Sequence, residues 1–184
     1  MPTKLSNILP FFRIEILIKS FFESQFSYCP LIWMFTSRTS NLKINKLHER
    51  ALRILYNDHL STFNELLTRD KSVTMHVRNL RLLALEMFKI KNKLSPIFIV
   101  DFFEDNEIWY NFRNQREFNR PKIKTVQWGV NSIRYYGPII WDMLPTYIKN
   151  SESLELFKQE IKKWDAKDCP CRLCKAYFNN LGFL

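Results

Sequence analysis

The chain has 184 residues, of which 46% are hydrophobic and 15% aromatic, so we expect a folded core and not a disordered chain. Only 3 glycines are present, and neither GxGxxG nor GxxxxGK[ST] occurs, which argues against a Gly-rich phosphate-binding loop. Lys and Arg number 28 against 18 Asp and Glu. The resulting net charge of +10 favours a polyanionic partner, most often nucleic acid, although basic proteins without such a partner also exist.

Helical signals dominate the first hundred residues. Apolar residues recur there at intervals of three and four, and prolines or polar N-cap residues separate the periodic runs. Candidate N-caps lie in the connector Ser37–Asn41, at Ser61, which opens the third helix, and at Thr74, which precedes the longest one. Pro30 marks a break, and Asn57 with the residue after it stops the second helix. Four helices are predicted, over residues 10–26, about 42–56, 62–67 and 75–94.

The second predicted helix carries two parallel stripes. An apolar stripe with the 3.6-residue period is predicted to face the core: Ile44, Leu47, Ala51 and Ile54. A cationic stripe lies one residue earlier, roughly 100° round the helix: Lys43, Lys46, Arg50 and Arg53. A helix that packs on one side and presents cations beside it can hold a polyanion, but many solvated helices have the same pattern.

Residues 101–120 predict a linker or loop, because acids, arginines and aromatics occur there without a regular period. From Pro121 the pattern becomes extended, and residues 121–136 predict one small β-hairpin. Basic residues lie among aromatics in this region and are candidates for nucleic-acid binding: Arg113, Arg116, Arg120, Lys122 and Lys124. The aromatic residues Trp128, Tyr135 and Tyr136 could stack on bases, or could pack the hairpin onto helices.

The C-terminal part returns to helix. A short helix starts at Gly137–Pro138 and ends at Pro145, and Ser151 or Ser153 caps a final helix over Leu154–Trp164. The predicted fold is therefore mainly α: a helical bundle, one small β-hairpin, and a C-terminal helix with a cysteine-containing tail. The predicted regions are residues 1–100, 101–120, 121–164 and 165–184.

The cysteines are placed unlike those of a disulfide framework, since three of the four lie in one corner of the chain. This placement indicates a reducing compartment. The tail pattern C-x-C-x2-C, formed by Cys169, Cys171 and Cys174, could supply three of the four ligands of a structural zinc ion. Cys29 or a histidine could then be the fourth ligand; the alternative is a tail with three reduced thiols.

The apolar N-terminus is interrupted by Arg13, Glu15 and Lys19, so no apolar run reaches the roughly 18 residues that span a bilayer. The early interruption and the lack of a small-residue cleavage site also argue against a signal peptide. We therefore expect a soluble intracellular protein, in the nucleus or the cytoplasm, that has no membrane partner.

No catalytic arrangement is predicted. Two-metal chemistry needs clustered carboxylates, but the acids between Asp101 and Glu107 lie in a loop-like stretch without an adjacent-Asp hairpin, where a solvated acidic loop is the simpler explanation. Nucleophilic catalysis needs a Ser or Cys oriented by a His. The three histidines are isolated, and we expect surface or capping roles for His48, on the exposed side of the basic helix, His59 and His76.

Several longer stretches resemble a known family: SQFSYCPLIWMF, INKLHERALRILYND, RNLRLLALEMFKIKNKLSP, SIRYYGPIIWDMLPTYIKNSESLELFKQEIKKW and the tail CPCRLCKAY. They are similar to the C-terminal part of reverse transcriptases, which are RNA-directed DNA polymerases, from non-LTR retrotransposons of the jockey-like kind. The resemblance covers about residues 21–184. Its most specific parts are Ser24–Met34, Asn45–Tyr56 and Tyr136–Trp164.

The resemblance implies that residues 1–100 form a thumb-like helical region. In the family, the thumb and the region that follows it contact the duplex of template and primer. The palm, which carries the family's catalytic aspartates, and the fingers have no counterpart in this sequence. No catalytic residue is therefore carried over, and we do not expect this chain alone to be an enzyme. The missing palm and fingers would be its natural neighbour, and the chain would represent a truncated element copy or a fragmentary gene model.

Under this interpretation the cationic stripe meets phosphates through salt-dependent contacts that do not depend on base sequence. Two alternatives stay open. The chain could be a protein–protein or structural module whose interface is the aromatic surface that the palm and fingers would cover. It could also be a functionless relic of a truncated element.

Overall fold

The computed structural model describes residues 11–103, 117–122, 124 and 132–166. This part of the chain is mainly α-helical, as predicted, and no β-strand occurs within it. The chain divides into two compact units, Met1–Asn79 and Leu80–Leu184, which are described in turn.

The first unit begins with a helical segment over residues 11–27 whose winding changes in the middle. Its α-helical ends are α1 (Phe11–Leu17) and α2 (Ser24–Ser27), and the π-helical turn π1 (Ile18–Glu23) joins them. The remaining helices of this unit are α3 (Pro30–Trp33), α4 (Arg38–Tyr56), α5 (Phe63–Asp70) and the start of α6 (Met75–Lys91).

Local capping explains where α4 begins and ends. The Ser37 hydroxyl accepts a hydrogen bond from the Ser40 amide at 3.2 Å, and Asn57 ends the helix in the left-handed conformation with φ of 49°. The predicted end near Tyr56 is therefore confirmed. The predicted cap of α6 is confirmed as well, because the Val77 amide donates to Thr74 Oγ1 at 3.3 Å.

The N-cap of α5 is Thr62 and not the predicted Ser61. Thr62 and Glu65 form a capping box, in which the Thr62 amide donates to Glu65 Oε2 at 2.7 Å. Ser61 instead donates its hydroxyl proton to Asp58 Oδ2 at 2.6 Å and so belongs to the preceding turn.

The core of the first unit corrects the predicted apolar stripe of α4. Its buried residues come from α1, α4 and α5: Ile14, Leu52, Leu55, Leu66 and Leu67. Of the predicted stripe, Ala51 is buried and Ile44 half-buried, but Leu47 and Ile54 are each 47% exposed. Because α1 and π1 pack on α4, the buried face is turned toward Asn41, His48 and Leu52. Apolar residues lie on more than one side of this helix, so its period alone did not identify the buried side.

The second unit contains the rest of α6 and four further helices among its described residues. These are α7 (Ile97–Val100), α8 (Ile133–Met143), α9 (Thr146–Lys149) and α10 (Leu154–Ile161). Ser153 caps α10 by accepting from the Leu156 amide at 3.2 Å, which decides between the two predicted caps.

The predicted β-hairpin is wrong in its second half, since Ile133–Tyr136 forms the first turn of α8. Ser132 caps that turn by accepting from the Tyr135 amide at 3.4 Å, and the helix continues through Pro138. It therefore starts four residues before the predicted start at Gly137. Four residues are too few for their period to separate a strand from a helix. Most of the predicted first strand lies outside the described residues.

Aromatic rings packed against one another form the core of the second unit. The ring centroids of Phe88 and Phe157 lie 4.3 Å apart, and Trp141 lies 6.3 Å from Phe157 and 5.9 Å from Phe118. All four rings are buried. On the last helix Phe157 and Ile161 are buried, and so is Trp164 just after the helix.

Candidate nucleic-acid interface

Three of the four predicted cations of α4, Lys43, Lys46 and Arg50, are exposed and are called here the cationic row. Side chains three and four positions apart on a helix are neighbours with about 5–6 Å between their Cβ atoms. The whole row therefore spans about 10 Å along the helix axis. Within the described part of the chain, none of the three forms a salt bridge.

The fourth cation, Arg53, is not part of this row. Its Nη2 atom lies 2.7 Å from Glu49 Oε1, its Nε atom donates to the same oxygen at 3.2 Å, and Nη1 donates to the Asp58 carbonyl at 3.4 Å. These hydrogen bonds use most of the guanidinium N–H donors and leave few of them for a phosphate. The sequence contains the signal for this pairing, because a Glu four residues before an Arg is a favourable helix pair.

Aliphatic side chains flank the cationic row on the exposed face of α4. Leu47 follows Lys43 by four positions, and Ile54 follows Arg50 by four. Leu47 and Ile54 are the residues that the sequence placed in the core, and Leu42, four positions before Lys46 on the other edge of the row, is exposed as well. A ligand on this face would therefore meet cations and apolar carbon together.

Behind the row, His48 faces the interior of the unit and not solvent, which corrects its predicted exposure. It is 3% exposed, its ring is stacked on Phe22 with centroids 5.6 Å apart, and Phe63 approaches it edge-on at 5.6 Å. Burial lowers the pKa of His48, Asp70 raises it and Arg78 lowers it, with a net decrease. The imidazole is therefore neutral at pH 7 and adds no charge to the row.

The other two histidines have different surroundings. His76 is buried in the first turn of α6, so of the predicted surface or capping role the surface alternative is wrong. His59 is exposed, as predicted.

A small cavity beside His48 is lined by α1, π1, α4 and α5, including Glu15 and Asp70. Glu15 forms a salt bridge with Lys19, and Asp70 Oδ1 accepts a hydrogen bond from the Tyr56 hydroxyl at 2.9 Å. Burial, followed by the hydrogen bond to Asp70, raises the pKa of Tyr56 to about 12. Both carboxylates thus have structural partners.

The second predicted group of basic residues lies in the second unit, and one of its described members is paired with a carboxylate. Arg120 Nη2 lies 2.7 Å from Asp142 Oδ2 of α8, so this guanidinium has a structural carboxylate partner. Lys122 and Lys124 are exposed. Arg113 and Arg116 lie outside the described residues, and so does Trp128. Tyr135 and Tyr136 are half-buried, with their rings edge-to-face at 6.0 Å.

A polar cluster around Trp141 was not found from the sequence. Glu117 accepts a hydrogen bond from Trp141 Nε1 at 3.0 Å and forms a salt bridge with Lys91. Burial raises the pKa of Glu117, but the bonds from Lys91 and Trp141 outweigh it, so the net pKa is lowered. The partners lie more than twenty residues apart in the chain, so no local pattern signals the cluster. It holds Trp141 in the core and is structural.

The predicted zinc ligands Cys169, Cys171 and Cys174 lie outside the described residues, so the zinc site stays a prediction. Cys29, its possible fourth ligand, is exposed, with a left-handed φ of 46°. Among the residues that the structure describes, no three His, Cys, Asp or Glu side chains are placed to hold a metal ion.

The described helices also include none with the length and apolar character needed to cross a membrane. The candidate interface is defined by the charge and exposure of α4.

The sequence matches no protein-family model, and the comparisons found no similar curated protein and no similar solved structure.

Proposed function

We propose that this chain is a non-catalytic, intracellular nucleic-acid-binding module that corresponds to the C-terminal region of a retrotransposon reverse transcriptase. Its cationic row would contact the phosphates of an RNA–DNA duplex, beside the palm and fingers of the parent enzyme. The observation that carries the proposal is the presence of three exposed cations without salt bridges on one face of a helix whose opposite face is buried.

The fixed position of α4 supports this proposal. Leu52 and Leu55 anchor the helix in the core, so the backbone that carries the cationic row is already ordered before a ligand binds. Lys and Arg on such a backbone gain affinity mainly by releasing the counterions condensed on nucleic acid. Three phosphate contacts predict a slope of log K against log salt of about −2.7, with weak binding that does not depend on base sequence.

The test compares two variants of equal net charge. The row variant carries Lys43→Gln, Lys46→Gln and Arg50→Gln. The control variant carries three glutamines at exposed lysines elsewhere: Lys71→Gln, Lys93→Gln and Lys162→Gln. Fluorescence anisotropy with a labelled RNA–DNA duplex of about 20 base pairs, between roughly 50 and 200 mM salt, gives the affinity and the salt slope.

We expect the row variant to lose most of the affinity and most of the slope of about −2.7, while the control variant stays close to the wild type. Arg53→Gln should have a smaller effect than any single change in the row, because Arg53 is already bonded to Glu49. Equal losses in the two triple variants would show that only net charge matters, and the cationic row would then not be an interface.

The exposure of Tyr28 and Ile32 favours a second candidate function. These side chains are 78% and 68% exposed within the aromatic stretch that precedes α4. In the resemblance this stretch would face the palm, so it could bind a protein partner instead of nucleic acid. Tyr28→Ser with Ile32→Ser should then leave the duplex affinity unchanged and should weaken binding to a separately expressed palm domain.

A further inference from the structure

His48 lies where the helical segment over residues 11–27 packs on α4. It is 3% exposed, the ring of Phe22 from π1 stacks on its imidazole, and the ring of Phe63 from α5 meets the imidazole edge-on. Its Nδ1 atom is buried and has no hydrogen-bond partner among the described residues. The packing of the segment on α4 therefore requires a neutral imidazole, because a protonated one would bury a charged N–H donor without an acceptor.

Charged groups approach His48 from each element that packs around it. Glu15 of α1 and Lys19 of π1 line the cavity beside the ring and form a salt bridge with each other. Asp70 of α5 attracts a protonated imidazole, and Arg78 of α6 repels it. Burial outweighs the attraction of Asp70 and lowers the pKa of His48, so these neighbours do not compensate for the lost water.

Helix α5 is held to α4 by contacts that do not involve His48. The Tyr56 hydroxyl of α4 donates to Asp70 Oδ1 of α5 at 2.9 Å, and Arg69 of α5 lies over the Tyr56 ring, 4.9 Å from its centroid. The two helices also share four buried leucines: Leu52, Leu55, Leu66 and Leu67. These contacts can persist when the segment over residues 11–27 is displaced.

The segment over residues 11–27 has a smaller share of the same core. Ile14 is buried in the apolar cluster, whereas Ile18 and Phe22 are half-buried. The π1 turn that carries Ile18 and Phe22 departs from regular α-helical winding, and such turns are rare and often found at functional sites. Segments with few buried apolar contacts open at lower free energy than the core they cover. The segment is therefore the part of this unit that can leave α4 first.

We propose that His48 is a pH-sensitive switch: when its imidazole takes up a proton, the segment over residues 11–27 leaves α4 while α4 and α5 stay packed together. In this open state the imidazolium is hydrated and keeps Asp70 nearby, whereas Glu15 and Lys19 leave as a pair of opposite charges. The open state binds the proton more tightly than the closed state does. Opening is therefore favoured increasingly as the pH falls below the ordinary pKa of 6.5.

This inference does not rest on the proposed function, because it uses none of the residues of the cationic row. It also differs from a general loss of stability in acid, since it assigns the opening to one segment.

Native-state hydrogen exchange of the whole chain in increasing urea, at about pH 7.5 and about pH 5.5, tests the proposal. In the wild type, the amides of residues 15–23 should exchange through a local opening with little urea dependence. The amides of α4 and α5 should require a larger opening that urea strongly favours. After correction for intrinsic exchange rates, the local opening should be about tenfold more populated at the lower pH, which lies about one unit below the ordinary pKa of His48.

Substitutions at His48 separate the switch from other effects of acid. His48→Phe and His48→Gln should each remove the tenfold change, and His59→Gln, at an exposed histidine, should retain it. His48→Lys introduces a charge at both pH values, so it should lower the protection of residues 15–23 at both while α5 stays protected.

Three results would overturn the proposal. Residues 15–23 could share the protection and the urea dependence of α4 and α5, which would mean that the segment does not open separately. The tenfold change could persist in both neutral variants at His48, which would assign it to another group. Loss of the protection of α5 together with that of the segment in His48→Lys would show that the charge unfolds the whole unit.

Discussion

His48 is a titratable residue that is buried in the folded chain. In the unfolded chain its imidazole would be charged at slightly acidic pH. Its Nδ1 atom is buried and has no hydrogen-bond partner, and the rings of Phe22 and Phe63 enclose it. The charged groups on the packed elements are Glu15, Lys19, Asp70 and Arg78. The attraction of Asp70 for a protonated imidazole only partly offsets the cost of burying it.

The pH dependence of stability follows from this lowered pKa. The pKa of His48 in the folded chain lies below its ordinary value of 6.5, so the unfolded chain takes up a proton first as the pH falls. The stability from a neutral His48 is therefore fully present above about pH 6.5 and is lost as the pH falls from there toward the folded pKa.

We predict that His48→Phe removes this dependence. Between about pH 6.5 and 5.5 the wild type should lose up to about 1.4 kcal/mol of unfolding free energy per pH unit through His48, and the variant should not. Urea unfolding at several pH values measures this difference. The exposed His59 provides the control, because His59→Gln should retain the wild-type dependence. A variant at His48 with the unchanged slope would contradict the assignment.

Helix α4 contains buried and exposed leucines, and its sequence alone does not show which leucine is which. Leu52 is 2% exposed and packs with α1 and α5, whereas Leu47 is 47% exposed beside the cationic row. Truncating a buried leucine costs the transfer free energy of its side chain and also leaves a cavity. Truncating an exposed leucine has neither of these costs in full. The stability of the two alanine variants should therefore differ strongly.

We predict that Leu52→Ala costs about 2–5 kcal/mol of unfolding free energy and that Leu47→Ala changes it by about 0.5 kcal/mol or less. Chemical denaturation followed by circular dichroism measures both. The apolar period read from the sequence predicts the opposite order, since it places Leu47 in the core. Equal costs would mean that the exposed face of α4 is covered in solution.

Several helix ends were predictable because they depend on residues within one turn. Thr74 and Ser153 each accept a hydrogen bond from the amide three positions later, and Asn57 ends α4 by adopting a left-handed conformation. The starts of α5 and α8 were missed although their caps, Thr62 and Ser132, are also local, because several neighbouring residues are possible caps. The close approach of α8 to α6, where a methyl group on Gly137 would come 2.5 Å from Met87 Sδ, depends on residues far apart in the chain and has no local signal.

The same distinction applies to the candidate site. The exposure of Lys43, Lys46 and Arg50 follows from their position on an amphipathic helix, and the sequence predicted it. The burial of His48 did not follow, because it depends on Phe22 and Phe63 from other segments.

Across the whole molecule, the two units have different cores. The described part of the second unit buries a group of four aromatic side chains, Phe88, Phe118, Trp141 and Phe157, while the first unit relies on a smaller aliphatic cluster that includes Leu52 and Leu66. Stability within one chain can therefore be uneven, with cooperative segments that open at different free energies. Because aromatic burial contributes more area per residue, the first unit should open first.

Matched substitutions can test this order. Ile14 and Ile161 are 5% and 4% exposed in the first and second units, and Ile→Val at either position should cost about 0.5–1.5 kcal/mol. If the first unit opens while the second stays folded, Ile161→Val should lower the hydrogen-exchange protection of α8 and α10 and leave that of α4 and α5 unchanged, because the opening that exposes α4 does not disturb Ile161. Ile14→Val should lower the protection of α4 and α5. An equal loss in all four helices after Ile161→Val would show instead that both units unfold as one cooperative block, in which case α4 and its cationic row open only together with the second unit.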